Sequence, residues 1–153
     1  MSEITYIKID NSIVQCIAKK FGDYIIKYNC FHFDEGCFSM AAFYGKEPVG
    51  FLSVYPKTYP TPLSNINDAY IDVIEVEKAF QRQGIAKEMI RQTEEWAKTY
   101  GYSQIRAWSS NDKLEAIHMW YTLGYCICPA KIWVEWCKEI VDGFYVAKKF
   151  SNI

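Results

Sequence analysis

What most limits this chain is an alternation that runs from Ala69 to Leu123. A β-branched and aromatic run, Ala69 to Val76, precedes an amphipathic stretch from Gly84 to Tyr100; a second run, Gln104 to Ser109, precedes a second such stretch from Asp112 to Leu123. Two strands separated by a helix of that length do not close as a hairpin. The helix carries the chain back over the sheet, so the spacing predicts parallel pairing with helices packed on its faces. In the longer helix Ile85, Met89, Ile90, Trp96, Ala97 and Tyr100 form one apolar stripe suited to a sheet.

The flanking segments follow a different grammar. Ile4 to Ile9 reads as a strand that ends at Asp10-Asn11-Ser12, good helix-capping residues, and Ile13, Ile17 and Phe21 give the next segment an apolar face. A second helical stretch follows Asp23. Ser39 to Tyr44 and Val49 to Tyr55 predict a hairpin around Gly45-Lys46-Glu47-Pro48, and the proline-rich Pro56 to Asn67 predicts an exposed loop. Tyr125 to Cys128 reads as a short strand before Pro129, and Gly143 to Phe150 as a last strand after an aromatic loop around Trp133 and Trp136. The sum is an α/β chain of mixed α+β character, with a central mixed sheet of about six to seven strands and helices on both faces. With 153 residues it is expected to be one domain, 1–153.

Charge and cysteine usage exclude several classes. Seventeen Lys+Arg against eighteen Asp+Glu, with no basic run, argue against nucleic-acid binding driven by bulk charge. Glu3, Lys8 and Asp10 interrupt the segment where a secretion signal needs an apolar run, and no stretch approaches the roughly 18–20 apolar residues of a membrane span. The expectation is a cytoplasmic protein without a membrane partner. Its six cysteines are then read as reduced thiols; Cys126 and Cys128 lack a matching second pair, and His32 and His118 lie far apart, so no metal site is expected.

The residues with most chemical content are Val73-Ile74-Glu75-Val76 and the loop that follows, through Gln81-Arg82-Gln83-Gly84-Ile85-Ala86. A strand enters a turn that opens a helix whose first amides have no intrahelical partner. The helix dipole adds partial positive charge there, so the end suits a phosphate. Gly84 lets backbone approach an anion, Ala86 keeps the turn small, and Arg82 and Lys87 add cations. The plainer alternative is a tight turn before an amphipathic helix. Neither a Walker loop nor a dinucleotide fingerprint is present.

At these positions the chain resembles the GNAT superfamily of acyl-CoA-dependent N-acetyltransferases. That family's strand ends in valine before a [QR]xxGx[GA] loop, here Val76 and Gln81 to Ala86, and Leu123-Gly124-Tyr125 looks like its closing element. The resemblance implies that amides around Gln81, Arg82, Gln83, Gly84, Ile85, Ala86 and Lys87 hold the diphosphate of acetyl-CoA, used as cosubstrate. It also implies that the backbone of Val76 pairs with the pantetheine arm like an added strand, where two parallel strands splay. The activity implied is transfer of the acetyl group to a primary amine of a small molecule or peptide. The rivals are a coenzyme-binding module without catalysis and an interaction domain.

Two positions depart from the family pattern. Many members carry a tyrosine four residues before the glycine of the closing element, which protonates the departing thiolate; here that position is Trp120. Tyr121, about 100° round the helix, is the candidate acid, against a role as packed core aromatic. Asn111 is a candidate coenzyme contact or simply a helix cap, and His118 reads as an ordinary helix residue. For a base, Asp72 and Glu75 are expected on opposite faces of their strand, with a water chain as the alternative. The resemblance places the acceptor pocket among Tyr24, Tyr28, Phe31, His32, Phe33, Asp34 and Glu35 on one side and Trp133, Glu135 and Trp136 on the other. Aromatics with acids suit a cationic amine, and otherwise fill the core or form a homodimer surface.

Overall fold

The computed structural model describes residues 3–59, 61–62, 67–135 and 137–150. Its strands are β1 (Ile4–Lys8), β2 (Phe38–Tyr44), β3 (Glu47–Thr58), β4 (Asn67–Val76), β5 (Gln104–Ser110), β6 (Cys126–Val134) and β7 (Glu139–Lys149). Its helices are α1 (Val14–Phe21), α2 (Tyr24–Lys27), α3 (Ile85–Tyr100) and α4 (Ala116–Thr122). Among the described residues the seven strands share one sheet in the order β1-β2-β3-β4-β5-β7-β6. The pairing is antiparallel except between β4 and β5, the two strands joined by α3.

Helices cover both faces, as the pattern requires. On one, Met40, Leu52, Val54, Ile71 and Ile105 meet Ile85, Met89, Ile90 and Ala97 of α3 and Trp120 of α4. On the other, Ala41 and Phe51 meet Ile17 and Ile25 from α1 and α2, together with Phe31. Neighbours such as Met40 and Ala41, or Phe51 and Leu52, are therefore buried on opposite sides, which is why β2 and β3 read as continuous apolar runs. Each fully buried Ile, Leu, Met or Phe contributes roughly 1.5–3 kcal/mol.

Several boundaries differ from the sequence expectation for one shared reason: the prolines occupy places where a strand tolerates a missing N–H. The first hairpin turns over Gly45-Lys46 alone, and Pro48 lies in β3 beside a register shift at Ala42/Phe43. Pro56 also lies in β3, beyond Val54, where β2 has ended and that edge is free. Pro129 lies in β6, an edge strand paired only with β7. Trp133 consequently sits on β6 rather than in a loop; Trp136, Pro60 and residues 63–66 lie outside the described residues.

The second crossover departs from expectation as well. β6 does not pair with β5, because β7 inserts between them along all of β5. The expected helix from Asp112 opens as a 3-10 turn, Asn111–Lys113, and α4 is short. No helix among the described residues is long and apolar enough to cross a membrane.

Candidate active site

β4 ends at Val76, and Glu77 donates its amide to the Val49 carbonyl at 2.8 Å. After a 3-10 turn, Lys78–Phe80, the Gln81 side chain returns to donate to the Val76 carbonyl at 3.0 Å, and Gln83 reaches the Ala79 carbonyl at 3.5 Å. Both glutamines brace the loop. Arg82 (φ +63°) and Gly84 (φ +83°) then reverse the chain into α3. The first helical bond is donated by Glu88 to Gly84, and no side chain caps the helix, so the amides of Ile85, Ala86 and Lys87 are left open. A Cβ at Gly84 would meet no atom within 4 Å. The result is an uncapped, positively polarised cup with Arg82 and Lys87 exposed beside it. One acid stands in the first turn: Glu88, gripped by Arg91 at 2.8 and 2.9 Å and by Gln92 at 2.8 Å. Those bonds hold its carboxyl down to about 2, and Arg91 offsets its charge.

The cup opens onto a gap in the sheet. β4 and β5 pair only over Ala69↔Ile105, Tyr70↔Arg106 and Ile71↔Ala107, although β4 continues to Val76 and β5 to Ser110. Beyond Ile71, β4 stays on β3 while β5 follows β7. Gly143 of β7 lets β5 lie close on that side; a Cβ there would run into the Ser109 carbonyl oxygen and lie 2.5 Å from Cζ2 of Trp108. Antiparallel ladders alternate in the direction of their polar groups, and the Glu77-to-Val49 bond fixes the phase here. The peptide groups of Ile74 and Val76 therefore face the gap; Gln81 takes the Val76 carbonyl, and the Val76 amide and the Ile74 groups remain as an unpaired strand edge.

The face of the gap on the α1 and α2 side holds the titratable groups. Ser53 pairs with Val73 and Val54 with Ile71, so Asp72 is the extra residue of a β-bulge. The bulge turns Asp72 onto the same face as Val73 and Glu75, which corrects the expectation that the two carboxylates diverge. Asp72 Oδ2 lies 2.8 Å from His32 Nε2, and the His32 ring packs on Tyr55 at 4.7 Å. Burial, and then Glu75, raise the Tyr24 phenol above its ordinary range. Burial, and then the two carboxylates, push the Cys30 thiol up to about 11. Toward β5, Asp68 is 0% exposed and meets Arg106 Nε at 2.6 Å, while the Arg106 guanidinium lies 5.8 Å from the rings of both Tyr70 and Tyr145. Lys57 stands 4.1 Å over Tyr70. A separate hollow of about 140 Å³ by α1 and α2, lined by Asn11, Val14, Ile26 and Phe33 among others, carries no titratable side chain.

A sequence model of the Acetyltransferase (GNAT) family matches residues 9–125, from the end of the first strand through the crossovers to Tyr125. This chain belongs to that family. No match was found among curated proteins. Among solved structures, a GNAT-family acetyltransferase from Streptococcus pneumoniae superposes with TM-score 0.72 at 14% identity, covering 97% of this chain and 100% of that one. The ribosomal-protein-S18-alanine N-acetyltransferase of Escherichia coli gives 0.72 at 12% identity, covering 99% and 96%. Arabidopsis thaliana NAA60 in complex with acetyl-CoA gives 0.68 at 12%, covering 96% and 98%. At these identities the likeness is one of GNAT fold.

In this GNAT chain the residues singled out on α4 separate. Trp120, at the position where the resemblance leads one to expect tyrosine, is 1% exposed and packs edge-on against Tyr125 at 4.8 Å. Tyr121 is 73% exposed, so the role of packed core aromatic falls to its neighbour. Asn111 stands exposed just past the open end of β5; the local turn contact is made instead by Ser110 and Asp112. His118 is exposed. The expected acceptor group divides too: His32 and Tyr24 reach the gap, and Phe31 is core. Glu35 lies beside Tyr100 at the far end of α3, while Trp133 is exposed on β6 with its indole bonded to Glu135 at 2.6 Å. Tyr55, Tyr70, Arg106 and Tyr145 were not singled out by sequence, although strand alternation places each opposite a core residue.

Proposed function

We propose that this GNAT protein is an N-acetyltransferase that moves the acetyl group of acetyl-CoA to a primary amine of a small molecule or peptide. The observation that carries the reading is the unpaired edge of β4 leading to the uncapped N-terminus of α3. A diphosphate suits the open amides from Arg82 to Lys87, and an extended amide-bearing arm suits the free edge formed by Ile74 and the Val76 amide. Acetyl-CoA supplies an activated thioester. The protein's part is to hold the amine at the apex of the gap, remove a proton from its nitrogen as the C–N bond forms, and return a proton to sulfur as the C–S bond breaks. Tyr121 is assigned the second task, and Asn111 a contact to the coenzyme. Asp72 and Glu75, on the acceptor face, favour a cationic amine.

Calorimetry with acetyl-CoA, then thiol release across an amine panel, tests the reading. Binding heat with thiol release from at least one amine is expected. In Tyr121→Phe an unchanged kcat would remove Tyr121 from the mechanism. The buried Trp120 favours one alternative, a module that binds the coenzyme without turnover, which would give heat and no thiol release with any amine.

A further inference from the structure

We propose that His32 is the base that takes the proton from the acceptor amine, and that Asp72 is its positioning residue. The proposal rests on the transferase reading above and deepens it at the same site.

Three independent features hold His32 in place. Its backbone carbonyl accepts from Ser39 Oγ at 3.1 Å, and Ser39 is buried at 1% exposure. Its ring packs on Tyr55 at 4.7 Å. Its Nε2 meets Asp72 Oδ2 at 2.8 Å. A carboxylate only accepts, so the neutral imidazole carries its hydrogen on Nε2 and leaves the Nδ1 lone pair free. Among the described residues, Nδ1 has no hydrogen-bond partner.

The location gives that lone pair a use. Ile71 is the last β4 residue paired with β5, and Asp72 is the bulged residue immediately after it. The bulge places the carboxylate, and His32 with it, at the apex of the gap on the acceptor side. Without the extra residue Asp72 would join the ladder and Glu75 would turn to the α3 face. A partly exposed His–carboxylate hydrogen bond adds little to stability, so the arrangement is poorly explained as a structural brace.

The ring of His32 touches Asp72 and Tyr55 directly, and the titratable groups around Asp72 come from each neighbouring element. β3 brings Tyr55 and Lys57, β4 brings Tyr70, β5 brings Arg106, the segment after α2 brings Cys30, and Glu75 of β4 and Tyr24 of α2 adjoin Cys30. Arg106 is committed to Asp68 at 2.6 Å, and Lys57 lies over Tyr70. His32 offers this cluster a ring nitrogen without a partner among the described residues. In the step it serves, an acceptor that arrives as the ammonium has first given one proton to solvent; an N–H proton of the free amine then passes to Nδ1 as the C–N bond forms, and the electron pair of the breaking C–S bond leaves on sulfur, which is then protonated. The imidazolium is stabilised by Asp72 and returns its proton to solvent.

The test uses the full chain, an amine that the panel shows to be turned over, and the variants His32→Gln and Asp72→Asn. His32→Gln is expected to lower kcat by about 10²–10⁴-fold, the usual span for a general base, with the heat of acetyl-CoA binding unchanged. The acidic limb of the kcat/KM profile should vanish with it. Asp72→Asn keeps the side-chain shape and removes the charge that favours imidazolium, so that limb should move to lower pH while kcat falls. A His32→Gln protein with wild-type kcat and an intact acidic limb would overturn the assignment while leaving the transferase reading standing. Wild-type protein that binds acetyl-CoA and releases no thiol with any amine would overturn both.

Discussion

Single residues set the character of the gap. Gly84 takes a left-handed backbone in open space, so Gly84→Ala adds strain of about 1–2 kcal/mol and places a methyl group inside the anion cup. We expect a melting temperature lower by about 2–4 °C for each kcal/mol lost, and acetyl-CoA affinity lowered by more than tenfold, read by calorimetry. The second effect should exceed what the first explains. Cys30 offers a check on the acceptor face itself. With its thiol pushed up to about 11, it stays protonated at neutral pH and should react slowest with a thiol reagent, well behind the exposed Cys16, Cys126 and Cys128. Rapid labelling of Cys30 would contradict the burial described. The glycine loop was readable because its chemistry is local: residue types within six positions specify it. The pairing of His32 with Asp72 was not, since the two are forty residues apart and meet through a bulge that leaves no mark on composition.

At the level of elements, the gap exists because one edge of β5 stays on β7 along its whole length while the opposite edge parts from β4 beyond Ile71. Gly143→Ala would drive a methyl group into the Ser109 carbonyl and the Trp108 ring. Overpacking of this kind costs about 1–3 kcal/mol, so the variant should melt earlier. It should also bind acetyl-CoA more weakly, because β5 must shift along the wall of the gap. A melting curve and affinity equal to wild type would show that the close approach is unimportant. Crossover spacing made the β4-α3-β5 unit legible in advance. The insertion of β7 was hidden because strand order across a sheet is a long-range choice that periodicity does not record. The prolines misled for a related reason: Pro56 and Pro129 interrupt a ladder only if both edges are paired, and whether an edge is paired is decided elsewhere in the chain.

Across the whole molecule, one polar clasp joins parts that the sheet pairing leaves separate. Glu94 of α3 accepts from Tyr125 at 2.8 Å and from Lys148 of β7 at 3.1 and 3.2 Å, and Lys148 also donates to the Leu123 carbonyl at 2.9 Å. Burial, and then Glu94, raise the Tyr125 phenol above its ordinary range. A folded value above the unfolded one means stability intact at neutral pH and lost as pH climbs past the ordinary range of the group. Tyr125 and Cys30 share that sign, so thermal stability should decline from about pH 9 upward. Tyr125→Phe should lessen the decline at the expense of one hydrogen bond, about 1 kcal/mol at neutral pH. Melting curves across that range check both; a flat alkaline profile in the wild type would contradict the burial of these groups.

The three residue pairs that join β4 to β5 have a mechanical meaning as well. They join two parts of the sheet, β1 to β4 and the set β5, β7 and β6, across a narrow seam that ends at Ile71 and Ala107, with α3 spanning it on one side. A ligand lying in the gap would act as a strut between the two parts and take the place of the missing ladder, so occupancy should stiffen the sheet where its own pairing is thinnest.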